Sequence, residues 1–514
     1  MHSLLSALVL VFVLQVGPLV SCLEQRDTYS IKKDLGGIRT IFPGDPDYRS
    51  ASTTYNHRFE LNPFAISFPS NAQQVSTLIK VGAANHLRVV AKSGGHSYIA
   101  NGVGGKDGAL VVDLSELKDI TVDPETFNAR IETGNLLGEV ALKLNDHGRA
   151  LPHGRCVYVG IGGHSGFGGW GHSSRMWGLT LDNILSATVV LANGTIVTAS
   201  EDSQPNLFWG IRGSSASFGI VTSIIVRTFP VPEGGTFFQL AWDMDIPTAT
   251  STFSSWQSFA LSSSLPTSFG GELALFKGSA YGRVLVGFLG SYYGSPNQAD
   301  FNKTVEPFVS GLPANELDPR SVLVTGSWIE VLAAAAVPTG VLNTTAAGKE
   351  SNDTYYAKSL MTPQDVPLTE EAMGALMQYL GTVGFESDTF WHVEIELYGG
   401  VDSAINAVPL DSTAFAHRNT LFTFQPYAST ADFLPPFPEE AFGFVDGMVS
   451  SVTSNMPDDW DFGAYPNYID DRLPDWQRLY YSAHYHRLQD LKASVDPTNV
   501  FRFPTAIEEP VHRV

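Results

Sequence analysis

Residues 155–182 read RCVYVGIGGHSGFGGWGHSSRMWGLTLD, a stretch with eight glycines and, after Cys22, the second of the chain's two cysteines, Cys156. Glycine at this density works against regular helix and strand, because each Gly loses more backbone entropy on folding than a residue with a side chain. Such a run suits a place where backbone passes close to a large flat or phosphorylated ligand and presents its N–H groups unobstructed. A flexible linker would be polar and monotonous in Gly and Ser. This stretch instead holds Val157, Ile161, Phe167, Trp170, Met176 and Trp177. It reads as a ligand-binding loop.

On either side of this loop, apolar segments alternate between helical and strand spacing. Asn71 to Ala84 has Val75, Leu78, Ile79 and Val81 at helical spacing, with Asn71 and Gln74 placed as a capping box. Arg88–Ala91, Ala109–Asp113 and Ala129–Glu132 read as strands, and Leu137–Asp146 as a helix. Beyond the loop, Ser186–Leu191, Gly194–Thr198 and Ser217–Thr228 are again strands. The pattern predicts an α+β or α/β ligand-binding domain over 23–230, with its core at about 58–230. The PVPEGG run at 230–235 marks a boundary. A substrate domain is expected over 231–459, as a large antiparallel sheet flanked by helices, with strands near Arg283–Gly290 and Trp391–Tyr398 and a helix over Pro367–Tyr379. Residues 460–514, with a helical run from Trp476 to Lys492, are too short for a domain and are expected to pack back on the first one.

The 514 residues carry a formal net charge of −21, which disfavours nucleic acid or an anionic membrane as partner, since binding phosphate needs clustered Lys and Arg. A neutral or cationic small molecule and a monomeric chain are expected. Met1–Cys22 has no Asp, Glu, Lys or Arg, an apolar run from Leu4 to Val16 and small residues at its end. It reads as a signal peptide at 1–22, too short to span a bilayer. Secretion follows as the expected location, and the sequons at Asn193, Asn302, Asn343 and Asn352 are compatible with it. Cleavage after Cys22 would leave Cys156 as a single thiol in a secreted protein, so something should occupy it.

SGGHSY at 93–98, CVYVGIGGH at 156–164 and GSSASFGIV at 213–221 resemble the FAD-binding half of the vanillyl-alcohol oxidase superfamily. NYIDDRLPDWQRLYY at 467–481 and VDPTNVFRF at 495–503 resemble its berberine bridge enzyme-like branch, in particular oligosaccharide oxidases of the glucooligosaccharide oxidase kind. The resemblance implies FAD bound covalently twice, at the 8α-carbon through His96 and at C6 through Cys156. A thiolate and an imidazole nitrogen are suited to such additions. It further places Ser93, Gly94, Gly95, Ser97, Val159, Gly160, Gly162, Gly163, His164, Gly166, Gly169, Gly219 and Val221 around the flavin. Val159 matches the family's oxygen gate. No Rossmann GxGxxG followed by an acidic residue is present, so NAD is not expected. His164, His172, His484 and His486 complete no ligand spacing, and no metal is expected.

Tyr468 matches the Tyr of the family's N-Y-x-D motif, the implied general base, and Glu396 its carboxylate partner. His392, Glu394, Glu396 and Tyr398 alternate along one strand and share a face. Read without the resemblance, the same alternation also describes a solvated sheet face. A phenol of pKa ~10 is a poor base, and a nearby carboxylate raises its pKa further. A standing tyrosinate would need a neighbouring cation. Otherwise Glu396 accepts the Tyr468 proton as Tyr468 takes the substrate's, which requires contacts of ~2.6–3.2 Å. Tyr98, Glu272, Glu394 and Gln425 match substrate-cleft positions. The chain departs from the family at Tyr480–His484, where its YYG-x-N motif reads YYSAH, and at Thr505–Ile507, where QSI reads TAI. The implied reaction is oxidation of the reducing-end C1 hydroxyl of an oligosaccharide to a lactone, with O2 reduced to H2O2. The alternatives are oxidation of another alcohol or specialised metabolite, or a non-catalytic flavin- or sugar-binding protein.

Overall fold

Three main sheets carry the chain. The computed structural model describes residues 30–313, 318–338, 340–347 and 352–510, so the expected signal peptide at 1–22 and Cys22 lie outside the described residues. Of the described residues, 30–38 fall in one unit, of which 30–34 is helical, and those from Arg39 onward fall in the other. Among the described residues no helix is long and apolar enough to cross a membrane.

In the first sheet, Arg39–Ile41, Ala65–Phe68, Leu110–Asp113 and Val89–Lys92 lie side by side in that order. The last three are parallel, and the helix Ala72–Ala84 connects Ala65–Phe68 to Val89–Lys92. Its cap is shifted from the expected box. Asn71 accepts from the Gln74 N–H, but the Gln74 carboxamide reaches back to the Ser70 N–H rather than to that of Asn71. The second sheet is antiparallel, with Ile120–Val122, Ala129–Glu132, Ile220–Val226, Ile184–Val190 and Ile196–Ser200 in spatial order. An apolar cluster joins this sheet to the C-terminal segment, where Leu479, Tyr480, Tyr481, Leu488, Leu491 and Ile507 are buried.

The third sheet has eight antiparallel strands. Gly235–Asp245, Arg283–Tyr292, Phe269–Lys277, Phe390–Leu397 and Thr420–Ser429 follow one another across its middle. One face packs on the helices Ile246–Ala260, Glu370–Tyr379 and Glu439–Thr453, through a core that includes Phe253, Trp256, Met377, Trp391, Ile395 and Met448. Trp256 is fully buried at its centre. Truncation to alanine there costs about 3–5 kcal/mol by analogy with other cores. The opposite face carries the polar residues of the site.

Two elements differ from the sequence-based expectation. Ile161–Phe167 is helical despite its three glycines, and two of them, Gly162 and Gly166, are set by close packing rather than by flexibility. A Cβ on Gly162 would meet Thr133 at 3.1 Å, and one on Gly166 would meet Ser215 at 2.7 Å. The run Trp476–Lys492 is not one helix. It breaks into Trp476–Tyr481 and Tyr485–Val495 around Ser482, whose φ of 46° no helix can contain.

Candidate active site

The two glycine loops lock together before they present anything. Gly94 and Gly160 lie back to back: a Cβ on Gly94 would sit 2.3 Å from the Gly160 nitrogen, and one on Gly160 would sit 2.1 Å from the Gly94 nitrogen. Ser93 Oγ accepts from the Gly162 N–H at 3.3 Å and donates to the Thr133 carbonyl, and Thr133 Oγ1 in turn donates to the Val221 carbonyl at 2.6 Å. Gly95 has φ 80° and turns the chain beside Lys92, while Ser97 Oγ accepts from the Asn101 N–H. His164 Nε2 accepts the Gly154 N–H at 3.1 Å, and burial, helped by His153, pushes its pKa down to about 3. Neutral His164 thereby fixes the turn that leads to Cys156.

Several residues nominated as a cradle therefore already have structural tasks. Gly169 is one of them: its N–H is donated to Tyr465 Oη at 2.8 Å. Gly219 packs against Val189 and Val190 of the neighbouring strand. Gly163 is different, because a Cβ there would meet nothing within 4 Å. Cys156 is exposed, although Val157 next to it is buried. His96 is half-buried, and its ring stacks on Tyr55 at 4.1 Å. The Val159 N–H donates to the Cys156 carbonyl at 3.1 Å, which keeps Val159 in the same tight turn as the thiol. An accessible thiol, a half-buried imidazole and an open glycine, on loops held by mutual contact, form a donor set that fits a doubly attached flavin.

Facing these loops is the polar side of the large sheet, whose register arranges side chains in rows. Glu272, Glu396 and Thr423 form the first row, Ala274, Glu394 and Gln425 the second, and Phe276, His392 and Tyr427 the third. Successive rows stand roughly 7 Å apart, two residues along a strand. This face is a cleft wall and not an open solvated surface, since Glu272 is fully buried and Glu396 is 2% exposed. Tyr468 Oη donates to Glu396 Oε1 in a short hydrogen bond. Tyr98 lies parallel to the Tyr468 ring, with centroids 5.8 Å apart, and its hydroxyl accepts from Gln425 Nε2. The structure thus brings together Tyr468, Glu396, Tyr98, Glu272, Glu394 and Gln425.

The loop bearing Tyr468 is clamped on both sides. Asn467 Nδ2 donates to the His164 carbonyl at 3.1 Å. Asp470 is 3% exposed, accepts from Lys358 Nζ at 2.8 Å, and receives the Tyr356 hydroxyl at 3.2 Å. Trp170 stacks on Tyr398 at 5.6 Å, and Arg175 donates to the carbonyls of Gly399, Pro266 and Phe269. These contacts hold the glycine-rich segment against the large sheet.

One functional residue was missed in the sequence. Arg155 Nη2 donates to Glu272 Oε1 and, at 3.2 Å, to Glu394 Oε1. The signal was its position immediately before Cys156, which carries no weight until the sheet is seen to bring three carboxylates to it. Burial opposes the Arg155 charge, but Glu272 and Glu394 outweigh it and hold the guanidinium protonated. Burial, opposed by Arg155 and aided by Glu394, pushes Glu272 up to about 8. Burial, then Glu272 and Glu394, push Glu396 well above the ordinary carboxylate range against the pull of the Tyr468 hydrogen bond. Burial and Glu396 push Tyr468 well above an ordinary phenol. A standing tyrosinate is therefore disfavoured, as the sequence argument required in the absence of a cation at the phenol itself.

Comparison with known proteins agrees with this geometry. Residues 63–200 match the family described as FAD binding domain, and residues 464–508 match berberine and berberine-like proteins. The chain is 33% identical over 471 residues to a xylooligosaccharide oxidase of Thermothelomyces thermophilus, covering 90% of each chain. Its structure resembles that of a chitooligosaccharide oxidase with a TM-score of 0.86 at 32% identity, over 94% of this chain and 100% of the other. It also resembles the glucooligosaccharide oxidase from Acremonium strictum that carries a 6-S-cysteinyl, 8α-N1-histidyl FAD, with a TM-score of 0.85 at 30% identity over 94% of this chain and 99% of the other.

Proposed function

The chain belongs to the berberine-like family of FAD-linked oxidoreductases, and on that premise we propose that it oxidises the reducing-end C1 hydroxyl of an oligosaccharide to the lactone. The observation that carries this reading is the Tyr468–Glu396 hydrogen bond at the cleft floor. Tyr468 Oη takes the C1 hydroxyl proton while its own proton passes to Glu396 Oε1, so that no free tyrosinate has to form. His96 and Cys156 are the residues that hold FAD, on the fit of an accessible thiol and a half-buried imidazole to its two attachment points. When bound, that group accepts the C1 hydride and returns the electrons to O2 as H2O2.

Tyr98, Gln425 and Glu394 supply hydrogen-bonding groups beside the reacting end. The third row, Phe276, His392 and Tyr427, continues the same face, with Tyr427 stacked between His392 and Tyr355, and a sugar further along the chain would meet this aromatic row, which favours an oligosaccharide over a monosaccharide. Both oxygens labelled Oε2 of Glu272 and Glu396 are buried without a protein partner, and sugar hydroxyls are donors that would satisfy them. Secretion belongs to the same proposal, on the leader-like residues 1–22. Purified holoprotein incubated with mono- and oligosaccharides should release H2O2, with lower KM for the longer sugars. A yellow protein that releases none with any sugar would overturn the reading.

A further inference from the structure

Glu272, Glu394 and Glu396 place carboxylate oxygens that all lie within 4.8 Å of one another. Like charges at this spacing oppose each other's ionisation, the more so where water is excluded. Yet the relay proposed above needs Glu396 ionised before substrate reacts. The groups facing it come from five segments. Glu394 and Tyr398 lie on its own strand, and Glu272 lies opposite on Phe269–Lys277. Tyr468 and Tyr465 come from the C-terminal segment, Tyr98 from the SGGHSY loop, and Arg155 from the glycine-rich stretch. The tyrosines are neutral, so the cation bonded into this cluster is Arg155.

We propose that Arg155 is the counter-charge that keeps Glu396 available as proton acceptor, by binding Glu272 and Glu394 and not Glu396 itself. The inference rests on the oxidase reading for its purpose but not for its geometry. Arg155 bonds to the two carboxylates that flank the acceptor and leaves Glu396 Oε1 to Tyr468. It is a positioning residue acting through charge. Its side chain is 17% exposed, which is buried enough for the charge to be felt across the cluster. Without it, three carboxylates would share one buried site. Glu272 and Glu396 each have a buried oxygen with no partner, so both would gain protons, and Glu396 would lose its place as acceptor.

The test reads protonation directly. Infrared difference spectra of holoprotein, wild type minus Glu396→Gln, isolate the carboxyl stretch of Glu396 and follow it with pH. In the Arg155→Met background the midpoint should rise by about one pH unit or more, a tenfold or greater gain in proton affinity. Arg155→Lys should keep most of the wild-type midpoint. Adding Glu272→Gln to Arg155→Met should bring the midpoint back down, because it removes the like charge that Arg155 had offset. An unmoved midpoint in Arg155→Met, or no return in the double variant, would overturn the proposal. The acid limb of anaerobic flavin reduction by sugar should move in parallel. If no sugar reduces the wild type, it is the oxidase reading that fails, while the infrared midpoints still decide the role of Arg155.

Discussion

Cys156 and His96 make the sharpest claims at the scale of single residues. The thiol is exposed on a turn whose preceding glycine is pinned by His164, and the imidazole is stacked on Tyr55. Denatured wild-type protein should therefore stay yellow and yield one flavopeptide containing both residues. His96→Ala and Cys156→Ala should each keep a single covalent bond, seen by mass after proteolysis. Free FAD in the acid supernatant of the wild type would contradict the double attachment. Val159 follows Cys156 in the same turn and packs at the edge of the apolar cluster around Ile161. On the proposed reading, a leucine there would fill space that O2 needs beside the flavin. Val159→Leu should slow reoxidation by O2 and leave anaerobic reduction almost unchanged; equal slowing of both half-reactions would show a general distortion of the site.

At the scale of elements, Ser482 offers a test of strain. It is exposed, has φ 46° and ψ −133°, and interrupts what its sequence marks as one helix. A non-glycine residue in such a conformation costs on the order of 1–3 kcal/mol. Ser482→Gly should raise the unfolding midpoint, by about 1 kcal/mol of stability, while Ser482→Ala should give no gain. A glycine variant no more stable than wild type would show that the position carries no strain. Strands with strong apolar content were readable: Ala129–Glu132 has the bounds expected, and Phe390–Leu397 is displaced by one residue from the expected Trp391–Tyr398. What the sequence hid were features fixed by contact. Gly162 and Gly166 look like breakers in isolation, and only Thr133 and Ser215 beside their α-carbons explain why glycine stands there. Each such glycine costs roughly 0.5–1 kcal/mol relative to alanine, less than the overlap that an alanine would meet there.

On the scale of the whole molecule, the site exists because segments far apart in sequence converge. Tyr468 comes from the C-terminal segment, Glu396 and Glu272 from the large sheet, Tyr98 from the first glycine loop and Arg155 from the second. Buried ionic contacts tie these segments together: Lys358 to Asp470, Arg418 to Asp182, and Lys492 to Asp496 with the Ser217 and Phe501 carbonyls. Motif spacing located Tyr468 and Glu396, but Arg155 had no legible role, because its partners lie 117 and 239 residues away. The account stands on the joint action of Tyr468 and Glu396, and the measurement that reaches it most directly is anaerobic stopped-flow reduction of the flavin in Tyr468→Phe by an oligosaccharide that the wild type oxidises. The variant should fold and retain its covalent flavin. Its reduction rate should fall by about 10²–10⁴-fold, or roughly 3–5 kcal/mol of barrier, with Glu396→Gln losing less because it keeps a hydrogen-bond acceptor. Reduction of Tyr468→Phe at close to the wild-type rate would show that another group removes the proton and would contradict the account.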